Sequence, residues 1–350
     1  MRRTLLAPVI GLVVTVLGAG PALACGGLIG RNGSVNLVRT TTLAAWHDGV
    51  EHYVTSFQFA GSGGEFGSII PLPDVPTSVE RGGDWTLQRL VREVTPQLTG
   101  RATSVANSGV ALSAPAVVLL ETRIDALDIT VLQGGGQAVG EWATKNGFLL
   151  TPDTPEVLDF YARRSPIFLA ARFDGDAARQ KGVAVGDGTP VHITIPTPNP
   201  WVPLRILGVG RQAAERINAD VFLLTDRRPT LLPGDTAPGL TLDRQEPASS
   251  RLLTDLRTDK GMEWVPESMW LSYLKVDALP AQLTYDLAVD ATGAGTPSRE
   301  AAGLEVAQPG PAAVAGGDMA EPGAAVLPWA LAGAVGMVAV AGGVLVARRR

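Results

Sequence analysis

From Ala324 to Ala347 the chain runs for 24 residues without a charged side chain, and Arg348, Arg349 and Arg350 follow at once. As a helix rising 1.5 Å per residue, such a run spans about 36 Å, enough to cross a hydrocarbon core of about 30 Å with some tilt. Trp329 falls near the outer end, where an indole favours the headgroup region, and the arginines form a cytoplasmic stop. A buried core helix is the competing reading, and an uncharged span closed by three arginines disfavours it. The expectation is a single-pass anchor at 324–347 with a basic cytoplasmic tail at 348–350. Anything that folds as a globule has to lie before it.

The other end points the same way. Met1-Arg2-Arg3 precedes an apolar run from Leu5 to Leu17, and Ala22-Leu23-Ala24 supplies small residues at a cleavage site. A positive start, an apolar stretch shorter than a span and an A-x-A site predict a secretory signal peptide over 1–24. Cys25 would then open the mature chain, which makes it the candidate site of lipidation. A lipobox places Leu three residues before the cysteine, where this chain has Ala22, so Ala22-Leu23-Ala24 fits ordinary signal peptidase better. As the chain's one cysteine, it offers no intrachain disulfide and no Cys-rich zinc site.

Charge counts change once the ends are set aside. The 350 residues carry 29 basic and 34 acidic side chains, but five of the arginines lie in the two terminal segments. The exported part is therefore left with 24 basic against 34 acidic residues. Such a balance excludes a nucleic-acid binder, which needs a basic footprint. Residues 291–323 turn to Ala, Gly, Pro, Glu and Ser with few large apolar side chains, which predicts a flexible stalk. Residues 25–290 remain as the ectodomain, one large domain or two closely packed lobes.

Within it, short apolar runs dominate. Asp48-Gly49 between Leu43–Trp46 and Val50–Phe59 predicts a hairpin. Alternation places Tyr53, Thr55, Phe57 and Phe59 on an inward face and Val54, Ser56 and Gln58 toward solvent. Further strands are expected at 66–73, 116–120, 129–132, 166–173, 191–195, 204–209, 221–225 and 283–289. Helical spacing marks Trp85–Val94 with Asp84 as its cap, Gln137–Asn146 after Gly134-Gly135-Gly136 with Gly147 as its stop, and a helix opening at Thr154-Pro155-Glu156 with Thr154 as its cap. Many strands with a few inserted helices define an α+β class.

Several stretches together resemble the DUF2330 family of bacterial exported proteins. They are Ala24-Cys25-Gly26-Gly27, Ile69-Ile70-Pro71-Leu72-Pro73 and Ile124 through Leu132, then Glu141-Trp142-Ala143 with Asn146-Gly147-Phe148, and Phe160-Tyr161 with Phe168-Leu169-Ala170-Ala171. The resemblance runs from Cys25 to about Arg228. It implies a shared extracytoplasmic fold and supplies no reaction and no site residues. Members of that group often carry further cysteines near the start, which this chain lacks.

Chemistry-bearing motifs are sparse. His47 and His52 flank the hairpin turn and lie close enough in sequence to approach each other, but no HExxH or carboxylate set accompanies them, so both read as surface hairpin residues. Ser62 lies in a glycine loop without a nucleophile elbow. Asp174-Gly175-Asp176 with Asp187 lacks the EF-hand ligand order and reads as a turn. Gly134-Gly135-Gly136 lacks the Walker lysine and reads as a strand-to-helix connection. Most of the six ectodomain tryptophans read as core, and Pro196–Pro203 as a rigid edge connection. No catalytic, cofactor or metal residue is assigned and no cofactor is expected. The expected function is a membrane-anchored extracytoplasmic module that binds another envelope protein or a cell-wall polymer. The alternative is a hydrolase whose site is assembled from distant residues.

Overall fold

The predicted hairpin lies at the centre of a large sheet. In a computed structural model, the residues described are 27–30, 40–56, 66–95, 116–148, 150–174, 189–234, 237–292 and 297–304. The signal peptide, Cys25, Ser62, most of the Asp174–Asp187 loop, the greater part of the stalk and the anchor lie outside them. No helix among the described residues is long and apolar enough to cross a membrane.

β2 (Thr40–His47) and β3 (Val50–Ser56) are joined by Asp48 and Gly49, with φ of 50° and 83°. Positive φ at both positions is the turn that suits strand twist, and it explains the Asp-Gly pair. The sheet has seven strands in the order β13-β14-β11-β2-β3-β9-β5. Its other members are β5 (Ser78–Arg81), β9 (Pro190–Pro196), β11 (Ile217–Thr225), β13 (Leu240–Pro247) and β14 (Trp270–Ala278). β11 runs parallel to β2 and every other pairing is antiparallel.

A second, wholly antiparallel sheet has the order β1-β4-β8-β7-β6. It comprises β1 (Gly27–Gly30), β4 (Phe66–Leu72), β6 (Val117–Ile124), β7 (Leu127–Gln133) and β8 (Ile167–Phe173). β10 (Trp201–Val202), β12 (Thr230–Leu232) and β15 (Leu287–Asp290) form a small third sheet.

Apolar side chains arrange these parts in four layers. Ile70, Leu127, Ile129, Val131, Leu169 and Phe173 of the five-stranded sheet meet Tyr53, Ile193, Val221, Leu223, Leu274 and Val276 of the seven-stranded one. On the far side of the five-stranded sheet, Leu132 and Phe168 pack with Val139, Trp142, Leu158 and Tyr161 of α2 (Gly136–Lys145) and α3 (Thr154–Ala162). The outer face of the seven-stranded sheet, with Leu43, Val54 and Phe222, is covered by Leu87 and Leu90 of α1 (Thr86–Val94) and Leu252, Leu253 and Leu256 of α4 (Ser250–Arg257). The strand-rich α+β class holds.

Four expectations are corrected. Val54 and Ser56 do not meet solvent, because α1 and α4 roof that face. Asp84 does not cap α1. The Asp259 carboxylate does so from a distant loop, accepting the N–H groups of Asp84 and Trp85 at 3.1 Å and the Thr86 hydroxyl at 2.7 Å. Thr154 is the first residue of α3 rather than its cap, and its hydroxyl bonds that of Thr151 at 2.8 Å. The run 204–209 is no strand but a short 3-10 helix, Arg205–Gly208. Its leading N–H groups are taken by side chains: Leu204 and Arg205 donate to Asp286 Oδ1 at 2.7 and 3.0 Å, and Ile206 donates to the Tyr161 hydroxyl at 2.9 Å. The fold also continues past residue 290, where buried Ala302 accepts the Asp286 N–H at 3.0 Å through its carbonyl.

Candidate functional site

All three histidines of the chain project from the outer face of the seven-stranded sheet, although they lie at positions 47, 52 and 192. Strand register explains this. His52 pairs with Ala45 on β2, which shares a face with His47, while Val54 pairs with His192 on β9. Alternation then keeps positions 45, 47, 52, 54 and 192 on one side.

The two hairpin histidines do not partner each other. His47 Nδ1 lies 2.7 Å from Asp226 Oδ1, just past the end of β11, and the Asp48 N–H reaches the other oxygen at 3.4 Å. His47 Nε2 faces Asp48 Oδ2 at 3.5 Å. Ligating atoms of His47, Asp48 and Asp226 all fall within 4.8 Å of one another, with His47 and Asp226 half-buried and Asp48 exposed. The parallel β2–β11 pairing creates this cluster, since it brings two strand ends to the same edge.

His52 turns to His192 instead, with Nδ1 and Nε2 3.0 Å apart. Its ring stacks on Trp264, with centroids 3.7 Å apart and planes 6° from parallel. Burial holds both imidazoles neutral. It lowers His52 to about 3, helped by His192 and His47, and His192 to about 4, against an opposing pull from the Glu263 charge. The indole N–H of Trp264 is buried without a hydrogen-bond partner. Hairpin spacing made His47 and His52 visible in the sequence, but His192, Asp226 and Trp264 carried no local signal.

On the opposite face of β3, Glu51 is fully buried between the two sheets. Neither carboxyl oxygen has a hydrogen-bond partner, although the Trp201 backbone N–H faces it and favours the charged form. Burial outweighs that help and pushes Glu51 up to about 8.

The other polar groups in the core are structural. Asp286 accepts the Tyr161 hydroxyl at 2.7 Å and pairs with Arg164, whose guanidinium lies over the rings of Phe160, Tyr161 and Trp201. Asp174 is paired with Arg123, while Gly175, Asp176 and Asp187 lie outside the described residues. At Gly136 a Cβ would overlap Asp159 of α3, so this glycine serves helix packing. Trp142 and Trp201 are buried as expected, and the Thr197 carbonyl of the proline-rich run accepts the Trp46 indole N–H at 3.0 Å.

One stretch of the surface departs from this closed construction. β6 has β7 on one side and no described strand on the other. Val117, Val118 and Leu119 on it are 64%, 40% and 38% exposed.

Fold and site together define a layered α+β sandwich with a histidine-bearing outer sheet face and an apolar strand edge that no described strand covers. The model of the DUF2330 family, described as "Uncharacterized protein conserved in bacteria", matches residues 19–230, and the chain belongs to that family. No curated protein matches the chain. Among solved structures, a mutated baculovirus P35 after caspase cleavage is similar at 7% identity with a TM-score of 0.37, over 59% of this chain and 74% of that one. So distant a likeness bears on no functional argument.

Proposed function

We propose that this protein is a membrane-anchored extracytoplasmic binding module, its ectodomain outside the cytoplasm and its basic C-terminus inside, that engages another envelope protein. The anchor and export rest on the uncharged run 324–347 with its terminal arginines and on the leader at 1–24. The observation that carries the binding reading is the edge of β6 that no described strand covers. A strand edge leaves a row of backbone N–H and C=O groups unpaired and invites an added strand, and soluble domains usually blunt it with charge or proline. Here Val117, Val118 and Leu119 stand exposed at its start, before Glu121 and Arg123, with a bulge at Leu119. An extended segment of a partner would pair with that backbone and cover Val117, Val118 and Leu119.

The hydrolase alternative draws on one observation, the His47–Asp226 pair, which has the form of a general base with its orienting carboxylate. The outward nitrogen meets Asp48 rather than a hydroxyl, so the geometry favours binding.

A photocrosslinking residue at Val117 or Leu119 of the full chain in intact cells tests the proposal. A single reproducible adduct is expected, absent when the probe is at Asp153 and lost on adding Val118→Lys. No adduct, or one indifferent to Val118→Lys, overturns it. Ester or glycoside hydrolysis by the purified chain that His47→Gln abolishes would install the alternative.

A further inference from the structure

β12 and β13 are the end strands of their sheets, each with a described strand on one side only. Between them opens a cleft of about 440 Å³, within the range of about 300–1,000 Å³ in which small molecules are held. Its floor is aliphatic. Leu274 of β14 is buried there, and Leu231 and Leu242, half-buried, pack against the core between the two large sheets. At Gly234 a Cβ would meet nothing within 4 Å, so the cleft stays open on that side. Its rim carries Arg228, the only charged side chain among the described lining residues. This guanidinium is held in place. Its Nε donates to Gln245 Oε1 at 2.8 Å, and Gln245 Nε2 donates in turn to the Pro229 carbonyl at 3.0 Å. One amide thus grips two consecutive residues and fixes the arginine relative to β13. The two Nη groups have no partner among the described residues.

We infer that this cleft binds a small aliphatic carboxylate, its chain laid on Leu231, Leu242 and Leu274 and its carboxylate on the Nη groups of Arg228. The lining selects each feature. A guanidinium with both Nη groups free presents the fork that a carboxylate accepts through parallel hydrogen bonds. A single cation, opposed by no carboxylate among the described lining residues, balances one negative charge. A phosphate monoester would bring about −1.5 to −2 and leave part of it uncompensated. No aromatic ring stands among the described lining residues, so nothing there stacks a flat ligand, and leucine side chains suit a flexible chain instead. An exposed arginine without a partner is ordinary on a surface. This one is set apart by the amide that holds it and by the apolar floor beneath it. Binding is noncovalent and leaves the ligand unchanged. The cleft shares no residue with the β6 edge, and either proposal stands without the other.

The test is equilibrium dialysis of radiolabelled hexanoate against the full chain in lipid nanodiscs, with uptake by empty nanodiscs subtracted. Saturable binding of one hexanoate per chain is expected. Hexanamide keeps the chain and lacks the charge, and it should compete at least about 10-fold more weakly. Acetate keeps the charge and lacks the chain, and it should not compete at the same concentrations. Both comparisons use the unaltered protein, so they stand even if a variant fails to fold. Arg228→Gln should bind hexanoate about as weakly as the unaltered protein binds hexanamide and should no longer tell the two apart. Arg251→Gln, on the exposed side of α4, should bind normally. Circular dichroism checks that both variants are folded. Absence of saturable binding, hexanamide as strong as hexanoate, or full affinity in folded Arg228→Gln overturns the assignment. Tighter binding of hexyl phosphate than of hexanoate overturns the choice of a carboxylate.

Discussion

Nδ1 of His52 and Nε2 of His192 lie at hydrogen-bond distance, 3.0 Å, although 140 positions separate the residues. β3 and β9 are neighbours in register, so the pair depends on a tertiary pairing that neither segment announces.

The pair makes the protein acid-sensitive. Folding lowers His52 and His192 from 6.5 to about 3 and about 4, so below pH 6.5 the unfolded chain binds more protons than the folded one. Their contribution is fully present above about pH 6.5 and is lost as pH falls through the folded values. Urea unfolding should show stability rising from pH 4 to 6.5. The rise should be shallower in a folded His52→Phe variant.

Glu51 acts in the opposite sense. Its folded value of about 8 lies above the ordinary 4.5, so folding takes up a proton between those limits. Stability from this group is fully present below about pH 4.5 and falls as pH climbs toward 8. Glu51→Gln has no proton to gain and should stabilise the protein at pH 7 by roughly 2–4 kcal/mol. Thermal melts at pH 5 and pH 8 check this, since the gain over the unaltered protein should widen with pH.

Asp286→Ala should cost about 3–5 kcal/mol. It strands the buried Arg164 and removes the acceptor of the Leu204 and Arg205 N–H groups. Tyr161→Phe, which removes one hydroxyl from the same cluster, should cost about 1–3 kcal/mol. Equilibrium unfolding in urea gives both values.

Asp259→Ala should loosen α1 at its first turn and cost about 1–2 kcal/mol. Amide exchange is the sensitive readout. Faster exchange at Asp84 and Trp85 is expected, with α3 unaffected.

Local patterns made part of this fold legible. Asp48-Gly49 marked its hairpin, Gly147 its helix stop and the apolar runs most of the strands of the five-stranded sheet. The stretch 240–278 was silent, yet it holds β13, α4 and β14. Leu240–Pro247 alternates with charged residues because β13 is a half-exposed edge, so its hydrophobic signal is weak. Ser249 caps α4 by accepting the Leu252 N–H at 3.1 Å, but the charged residues around the leucines blur the helical spacing there. The solvent face assigned to Val54 failed for a related reason: an alternating strand cannot say whether a helix will later roof its weaker side. Glu51 was invisible altogether, since one acid in a strand reads as an outward residue until burial on both sides is known.

The parallel pairing of β2 with β11 also has a cost in time. A chain that emerges N-terminus first makes the β2–β3 hairpin early, with both outer edges open and Leu43, Ala45 and Val54 uncovered. The partner strand at 217–225 and the covering leucines at 252–256 arrive only more than 150 residues later. Such long-range closure is slow, and the waiting hairpin is prone to wrong partners until it is complete. The chain's most vulnerable surface therefore belongs to a half-made molecule and disappears from the finished one.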